Sequence, residues 1–141
     1  MWYAIEMEPD DNGAILVTVP AFPEAATYAD TAAEAPVFAA AVIEEAIAAR
    51  MAGSEDIPFP LAEPEELSAE LNGLAYLKVM LYMLCKGQGV TRAELSRRLN
   101  WKREQVDRLF RLEHTSQLDQ LDKAFKAIGC PLHYEDMVKA A

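Results

Sequence analysis

Arg92, Lys102, Arg103, Glu104, Gln105, Arg108 and Arg111 fall close together in the stretch TRAELSRRLNWKREQVDRLFR. Guanidinium groups bond bidentately to phosphate oxygens and to the outer edge of guanine, and a glutamine amide matches the outer edge of adenine. In that chemistry Arg103 takes guanine, Gln105 reads adenine, and Arg108 reaches base or phosphate. Arg92 opens a helix, where the backbone N–H groups help it hold a phosphate. Lys102 and Arg111 add charge beside them. Glu104 and Asp107 oppose phosphate, unless they accept from cytosine or hold an arginine in place.

Such side chains read a groove only if two helices cross at a fixed angle. The first helix needs an apolar residue followed by a small one, and the turn needs a residue that tolerates positive φ. Leu95 is followed by Ser96, and Leu99 precedes Asn100, the best non-glycine residue for left-handed backbone. Trp101, Val106 and Leu109 then supply the buried face of a second helix. All these offsets are met together, which favours a helix-turn-helix over a merely solvated charged helix in a small bundle.

The rest of the chain is of the opposite sign. Its 141 residues carry a formal net charge of −10. Residues 1–70 hold one Lys or Arg (Arg50) against fifteen Asp or Glu, a charge of −14; residues 71–141 hold twelve against eight, a charge of +4. Opposite signs imply different partners and two domains, placed at 1–71 and 72–141. No apolar run is long enough for a bilayer. The N-terminus lacks the basic start and apolar core of a secretory signal, so a cytoplasmic protein without membrane contact is expected. Cys85 and Cys130 have neither metal nor redox spacing and are read as reduced thiols.

Periodicity predicts α+β architecture. WYAIEME alternates, with Tyr3, Ile5 and Met7 on one face and Glu6 and Glu8 on the other. PDDNG is a turn in which Gly13 takes positive φ. AILVTV alternates again, with Ile15, Val17 and Val19 together, completing a hairpin, and AATYAD is a third strand. Thr31 and Glu34 form a capping box for a helix to about Ala52 with a stripe of Phe38, Val42, Ala46, Ile47 and Met51. Pro36 lies awkwardly past its first turn. Residues 53–66, with three prolines and five acids, read as an exposed linker, and LSAEL as a returning strand. A helix from about Asn72 to Lys86 presents Leu74, Leu77, Leu81 and Leu84. Further helices are expected at 91–99, 102–111 and 117–128, the last with Ser116 as N-cap and Gly129 closing it.

The order strand, PDDNG, strand, PAFPEAATYADTAAEA, helix, IPFP resembles the HicB antitoxins of HicA–HicB toxin–antitoxin systems. The stretches LAYLKVMLYMLCKGQGVTRAELSRRL and QVDRLFRLEHTSQLDQLDKAFKAIG resemble the subtype with a C-terminal helix-turn-helix of the Cro/C1 class. The family usually has proline-glycine after the second strand and a glycine before the Asp-Thr helix start, where this chain has Glu24 and Ala29. The resemblance implies an N-terminal partial RNase H-like fold, a small antiparallel-rich sheet with one long helix, that binds a HicA-like toxin, a small basic RNA-cleaving protein. It also implies an all-α C-terminal domain that dimerises, or forms a higher homo-oligomer, and represses its own operon by binding operator DNA.

A domain of charge −14 suits a basic partner. Glu6, Glu8, Asp10, Asp11, Glu24 and Asp30 are the candidate acidic contacts, although each also serves simply as a surface acid. Trp2, Phe22 or Tyr28 are candidate anchors, although each also suits a core. Neither His114 nor His133 has a partner for a triad or a metal pair, and no glycine loop cradles phosphate, so neither catalysis nor a cofactor is expected. Two alternatives stay open. One is a Cro/C1-type transcriptional repressor whose acidic domain serves another partner or oligomerisation; the other is a protein-binding module whose helix pair no longer meets DNA.

Overall fold

The computed structural model describes residues 1–133 and 135–141. It is mixed α+β, with small antiparallel sheets at the N-terminal end and helices after them. Five strands are β1 (Trp2–Ala4), β2 (Glu6–Pro9), β3 (Ile15–Thr18), β4 (Ala26–Ala29) and β5 (Ser68–Glu70). The helices are α1 (Ala35–Ala52), α2 (Gly73–Gln88), α3 (Arg92–Leu99), α4 (Arg103–Leu109), α5 (Leu118–Ala127) and α6 (Glu135–Ala140). The last of these was not anticipated from the sequence. The chain falls into two compact units, Met1–Val79 and Met80–Ala141. The division lies inside α2, whereas the charge reading placed it between residues 71 and 72.

In the first unit the single alternating segment at the start is two strands. β1 pairs antiparallel with β5, while β2, β3 and β4 form a separate antiparallel sheet in that order. Between them Ile5 is buried and gives its N–H to the Leu67 carbonyl, 3.0 Å away. The β2–β3 turn forms as its residues dictate. Asn12 Oδ1 accepts from the Ala14 N–H, the Asp10 carbonyl accepts from the Gly13 N–H, and Gly13 sits at φ +85°.

α1 packs on β3, β4 and β5 through Ala35, Ala39, Ile43, Ala46, Ile47 and Met51. This corrects the expected stripe at its N-terminal half. Phe38 is exposed and Val42 only half-buried. Alanines at 35 and 39 let the helix backbone come close to the strands, which Phe38 and Val42 would have held apart. The helix also starts later than the Thr31 signal implied. Thr31 Oγ1 accepts from the Glu34 N–H at 3.3 Å, and the Glu34 carboxylate accepts from the Asp30 N–H at 3.2 Å, but residues 32–34 form a turn. Pro36 therefore lies in the first helical turn, where its missing N–H has no helical partner to lose.

Residues 53–66 are not a free linker. Ile57 is buried, the Tyr3 hydroxyl donates to the Pro58 carbonyl at 2.8 Å, and the Leu61 N–H reaches the Trp2 carbonyl at 2.8 Å. The acids that suggested an exposed tether sit on a segment laid along β1.

Along α2 the buried side chains are Ala75, Lys78, Val79, Leu81, Tyr82 and Cys85. Leu74, Leu77 and Leu84 are half-buried, so the predicted leucine stripe is displaced. In the second unit Leu95, Val106, Leu109, Phe110, Leu121, Ala124, Phe125 and Ile128 are buried, and α3 packs on both α4 and α5. Gly129 closes α5 at φ +73°. The N-cap of α5 is Gln117 rather than Ser116, whose side chain is buried.

Candidate functional site

Two surfaces gather the residues singled out above. The first is built by strand register. Glu8 stands opposite Leu16, and Leu16 opposite Tyr28; Glu6 stands opposite Thr18, and Thr18 opposite Ala26. Strand side chains alternate between faces, so these six share the face opposite that of Val17 and Ala29. Val17 and Ala29 are buried, whereas Glu6, Glu8, Ala26 and Tyr28 are exposed, Tyr28 at 56%. Two carboxylates thus border an aromatic ring with Leu16 between them. Asp10 and Asp11 lie in the turn at one end of this sheet. The register of Pro9 with Ile15, and of Ile15 with Ala29, brings Asp30 to the same end. Half-buried Leu16 and Thr18 were missed as site residues, although the alternation of AILVTV puts them opposite Val17.

Two candidates leave this surface. Phe22 is fully buried, its ring edge-on to Tyr3 with centroids 4.9 Å apart, so it packs the core of the unit. Glu24 is exposed but engaged: Arg50 donates to it through Nε at 2.6 Å and Nη2 at 3.0 Å. These hydrogen bonds hold its carboxyl below the usual range. Arg50 also stacks over Phe22 at 4.9 Å and donates to the Asp56 carbonyl. The one cation of the first seventy residues is therefore a clamp between α1, the 20–24 segment and the 53–58 segment. Its distant partners could not be read from spacing.

The second surface is the α3–α4 pair. Thr91 caps α3, its Oγ1 accepting from the Glu94 N–H at 3.1 Å. Asn100 ends α3 at φ 55°, ψ 42°, in the left-handed region. The Asn100 N–H bonds to the Arg97 carbonyl and the Trp101 N–H to the Ser96 carbonyl, the pairing that ends many helices at a left-handed residue. Ser96 is small enough to turn its hydroxyl onto the Trp101 carbonyl. Trp101 itself is half-buried, and Leu95, Val106 and Leu109 complete the packing.

Lys102, Arg103, Glu104, Gln105, Arg108 and Arg111 are exposed around α4, and Arg92 is half-buried at the start of α3. Gln105 Oε1 accepts from the Lys102 N–H at 2.9 Å, bracketing the first turn of α4. To read adenine bidentately it must release or share that bond. Most of the arginines are ion-paired internally. Arg97 and Arg98 meet Glu94 and hold its carboxyl below the usual range. Arg108 meets Glu104 at 2.8 Å. Asp107 Oδ1 takes both Arg103 Nε at 3.1 Å and Arg92 Nη1 at 3.2 Å. Partial burial pushes the Asp107 carboxyl up, but the two arginine hydrogen bonds more than reverse this and leave it below its ordinary range. The Arg92 guanidinium also lies 5.0 Å over the Phe110 ring. That an acid here could hold an arginine was legible in the sequence; the Arg92–Asp107 bond, which depends on the helix crossing, was not.

Among the described residues, no three His, Cys, Asp or Glu side chains gather as a metal site would require. No helix among them is long and apolar enough to cross a membrane. Cys85 is a buried thiol, pushed up to about 11 chiefly by that burial.

Residues 2–80 match the family model described as the HicB_like antitoxin of bacterial toxin-antitoxin system. That span nearly coincides with the first compact unit. The chain is 32% identical over 129 residues to Antitoxin HicB of Pseudomonas fluorescens (strain Pf0-1), covering 90% of this chain and 88% of that protein. It is 30% identical over 129 residues to Antitoxin HicB 1 of Photorhabdus laumondii subsp. laumondii, covering 92% and 83%. To Antitoxin HicB of Escherichia coli (strain K12) it is 29% identical over 130 residues, covering 92% and 94%. These alignments run past the first unit into the C-terminal helices.

Proposed function

The chain belongs to the HicB-like antitoxin family of bacterial toxin–antitoxin systems, and from that premise we propose that it neutralises a HicA-like RNA-cleaving toxin by direct binding and represses its own operon in the cytoplasm. The N-terminal unit is read as a partial RNase H-like domain. Its inhibitory surface is the sheet face of Glu6, Glu8, Leu16 and Tyr28, with Asp10, Asp11 and Asp30 at its end. What supports this is the charge of −14 over residues 1–70 together with the exposed Tyr28 ring on that sheet face, a combination that suits a basic partner. The acids steer the encounter, and Tyr28 with Leu16 supplies apolar contact.

The α3–α4 pair is read as a Cro/C1-type helix-turn-helix in a homodimer. The observation that carries this is the left-handed Asn100 turn between two short helices packed through Leu95, Val106 and Leu109, with Lys102 and Arg103 exposed at the start of the second. A two-fold dimer implies a palindromic operator with half-sites spaced by whole helical turns. Internal pairing of Arg92, Arg103 and Arg108 favours a second reading, a protein-binding module that does not engage DNA.

Co-expression with the product of the adjacent gene tests the first surface. The two are expected to co-purify, and Tyr28→Ala with Glu8→Gln to weaken the complex; an unchanged complex would remove this face from the interface. Promoter binding tests the second. Arg103→Ala and Arg108→Ala are expected to weaken it, each by about tenfold, and the affinity to fall steeply with salt. Binding that is indifferent to both substitutions and to salt sinks the helix-turn-helix assignment.

A further inference from the structure

We propose that Asp107 is a positioning residue for sequence discrimination: it holds the Arg103 guanidinium by Nε, so that the two terminal nitrogens meet a base edge in one pose. The inference rests on the DNA-binding reading of α3–α4 and concerns how that site discriminates.

An acid on a surface meant for phosphate needs a reason to be there. Asp107 differs from Glu104 in three respects. Its side chain is 27% exposed against 73% for Glu104. It bonds two guanidiniums where Glu104 bonds one within its own helix. One of those two, Arg92, belongs to α3 and is itself only 31% exposed, resting against the Phe110 ring. The Asp107 carboxylate is therefore fixed from behind by α3 before it acts on Arg103. With two arginines on one carboxylate the local charge is +1, so the acid does not make the surface repel phosphate.

Arginine carries five N–H donors in a rigid planar fork. A bond to Nε fixes the plane and leaves the terminal pair at the far end, the end that matches the edge of guanine. The Arg103 side chain is 57% exposed even with Nε bonded. An unbraced exposed arginine samples many rotamers and meets phosphate in most of them, which gives affinity without sequence preference. Bracing therefore predicts a change in discrimination rather than in total attraction.

The test uses the full chain and two duplexes, the DNA immediately upstream of its own reading frame and a scrambled duplex of equal length and composition, at one fixed salt concentration. The quantity is the ratio of the two affinities in the wild type, Asp107→Asn, Arg103→Ala and the double variant. Asp122→Asn, which removes one charge from α5, serves as the control for net charge. Asp107→Asn is expected to narrow the ratio by about tenfold, chiefly by weakening the upstream duplex. Arg103→Ala is expected to narrow it similarly, and the double variant no further than Arg103→Ala alone. Should Asp107→Asn not fold, Arg103→Lys decides: it keeps the charge but loses the fork, and is expected to lose discrimination while retaining binding to the scrambled duplex. An unchanged ratio in Asp107→Asn, losses that simply add in the double variant, or full discrimination in Arg103→Lys overturns the proposal. A wild-type chain that binds neither duplex overturns the DNA reading and this inference together, whereas one that binds both alike overturns this inference alone; the wild-type arm distinguishes the two.

Discussion

Tyr3 shows how far one side chain reaches in this protein. It lies in β1, stacks edge-on against Phe22 and hydrogen-bonds the Pro58 carbonyl. Burial pushes its hydroxyl up to about 12, with the Arg50 charge opposing. The unfolded chain therefore loses this proton first as pH rises. The contribution to stability is whole below the ordinary value of 10.0 and is lost as pH climbs through about 12. Tyr3→Phe is expected to cost about 1 kcal/mol near neutrality and to flatten the alkaline limb of a melting-temperature profile. A limb as steep as that of the wild type would mean another group controls it. At this scale the sequence was informative for local partners only. Asn100 declared its backbone angle, and Asp107 could be read as holding an arginine, though not which one. The contacts of Phe22 and Glu24 were not legible, because their partners Tyr3 and Arg50 lie far off along the chain.

The elements were legible wherever periodicity was strong. The β2–β3 hairpin, the returning strand β5 and the three helices α3, α4 and α5 fall where alternation, caps and turn residues put them. The stripe of α1 was not, because periodicity favours large side chains for a core face, while here the strands accept alanine. That difference can be measured. Ile43→Ala is expected to destabilise the protein by about 2–5 kcal/mol, and Phe38→Ala by less than about 1 kcal/mol, read from denaturant midpoints at constant slope. Equal losses would show that Phe38 carries packing its exposure conceals. The Pro-rich segment failed for the converse reason. Composition marked it as a tether, but composition does not register Ile57, or a carbonyl waiting for Tyr3.

Over the whole molecule, charge is divided rather than mixed, and it predicts kinetics more firmly than affinity. Glu6→Gln with Glu8→Gln is expected to slow association with the toxin by about tenfold at low salt, with little change in dissociation. Raising the salt should erase the difference between variant and wild type. A change confined to dissociation would make those acids direct energetic contacts instead of steering groups. The division into oppositely charged halves was plain in the sequence. The place where the compact units part, inside α2, was not, because a continuous helical period carries no mark of it.

The sheet order β2-β3-β4 leaves β2 at an edge. Its unpaired backbone groups form a template on which a strand from another chain could grow, and such edges seed aggregation unless something spoils the match. Here β2 carries Glu6 and Glu8 and ends in Pro9, which has no N–H to give. Two copies brought edge to edge would set like charges side by side and break the ladder at its end. The acids proposed to meet a basic partner thus also keep the edge of the sheet from pairing with a second copy when no partner covers it.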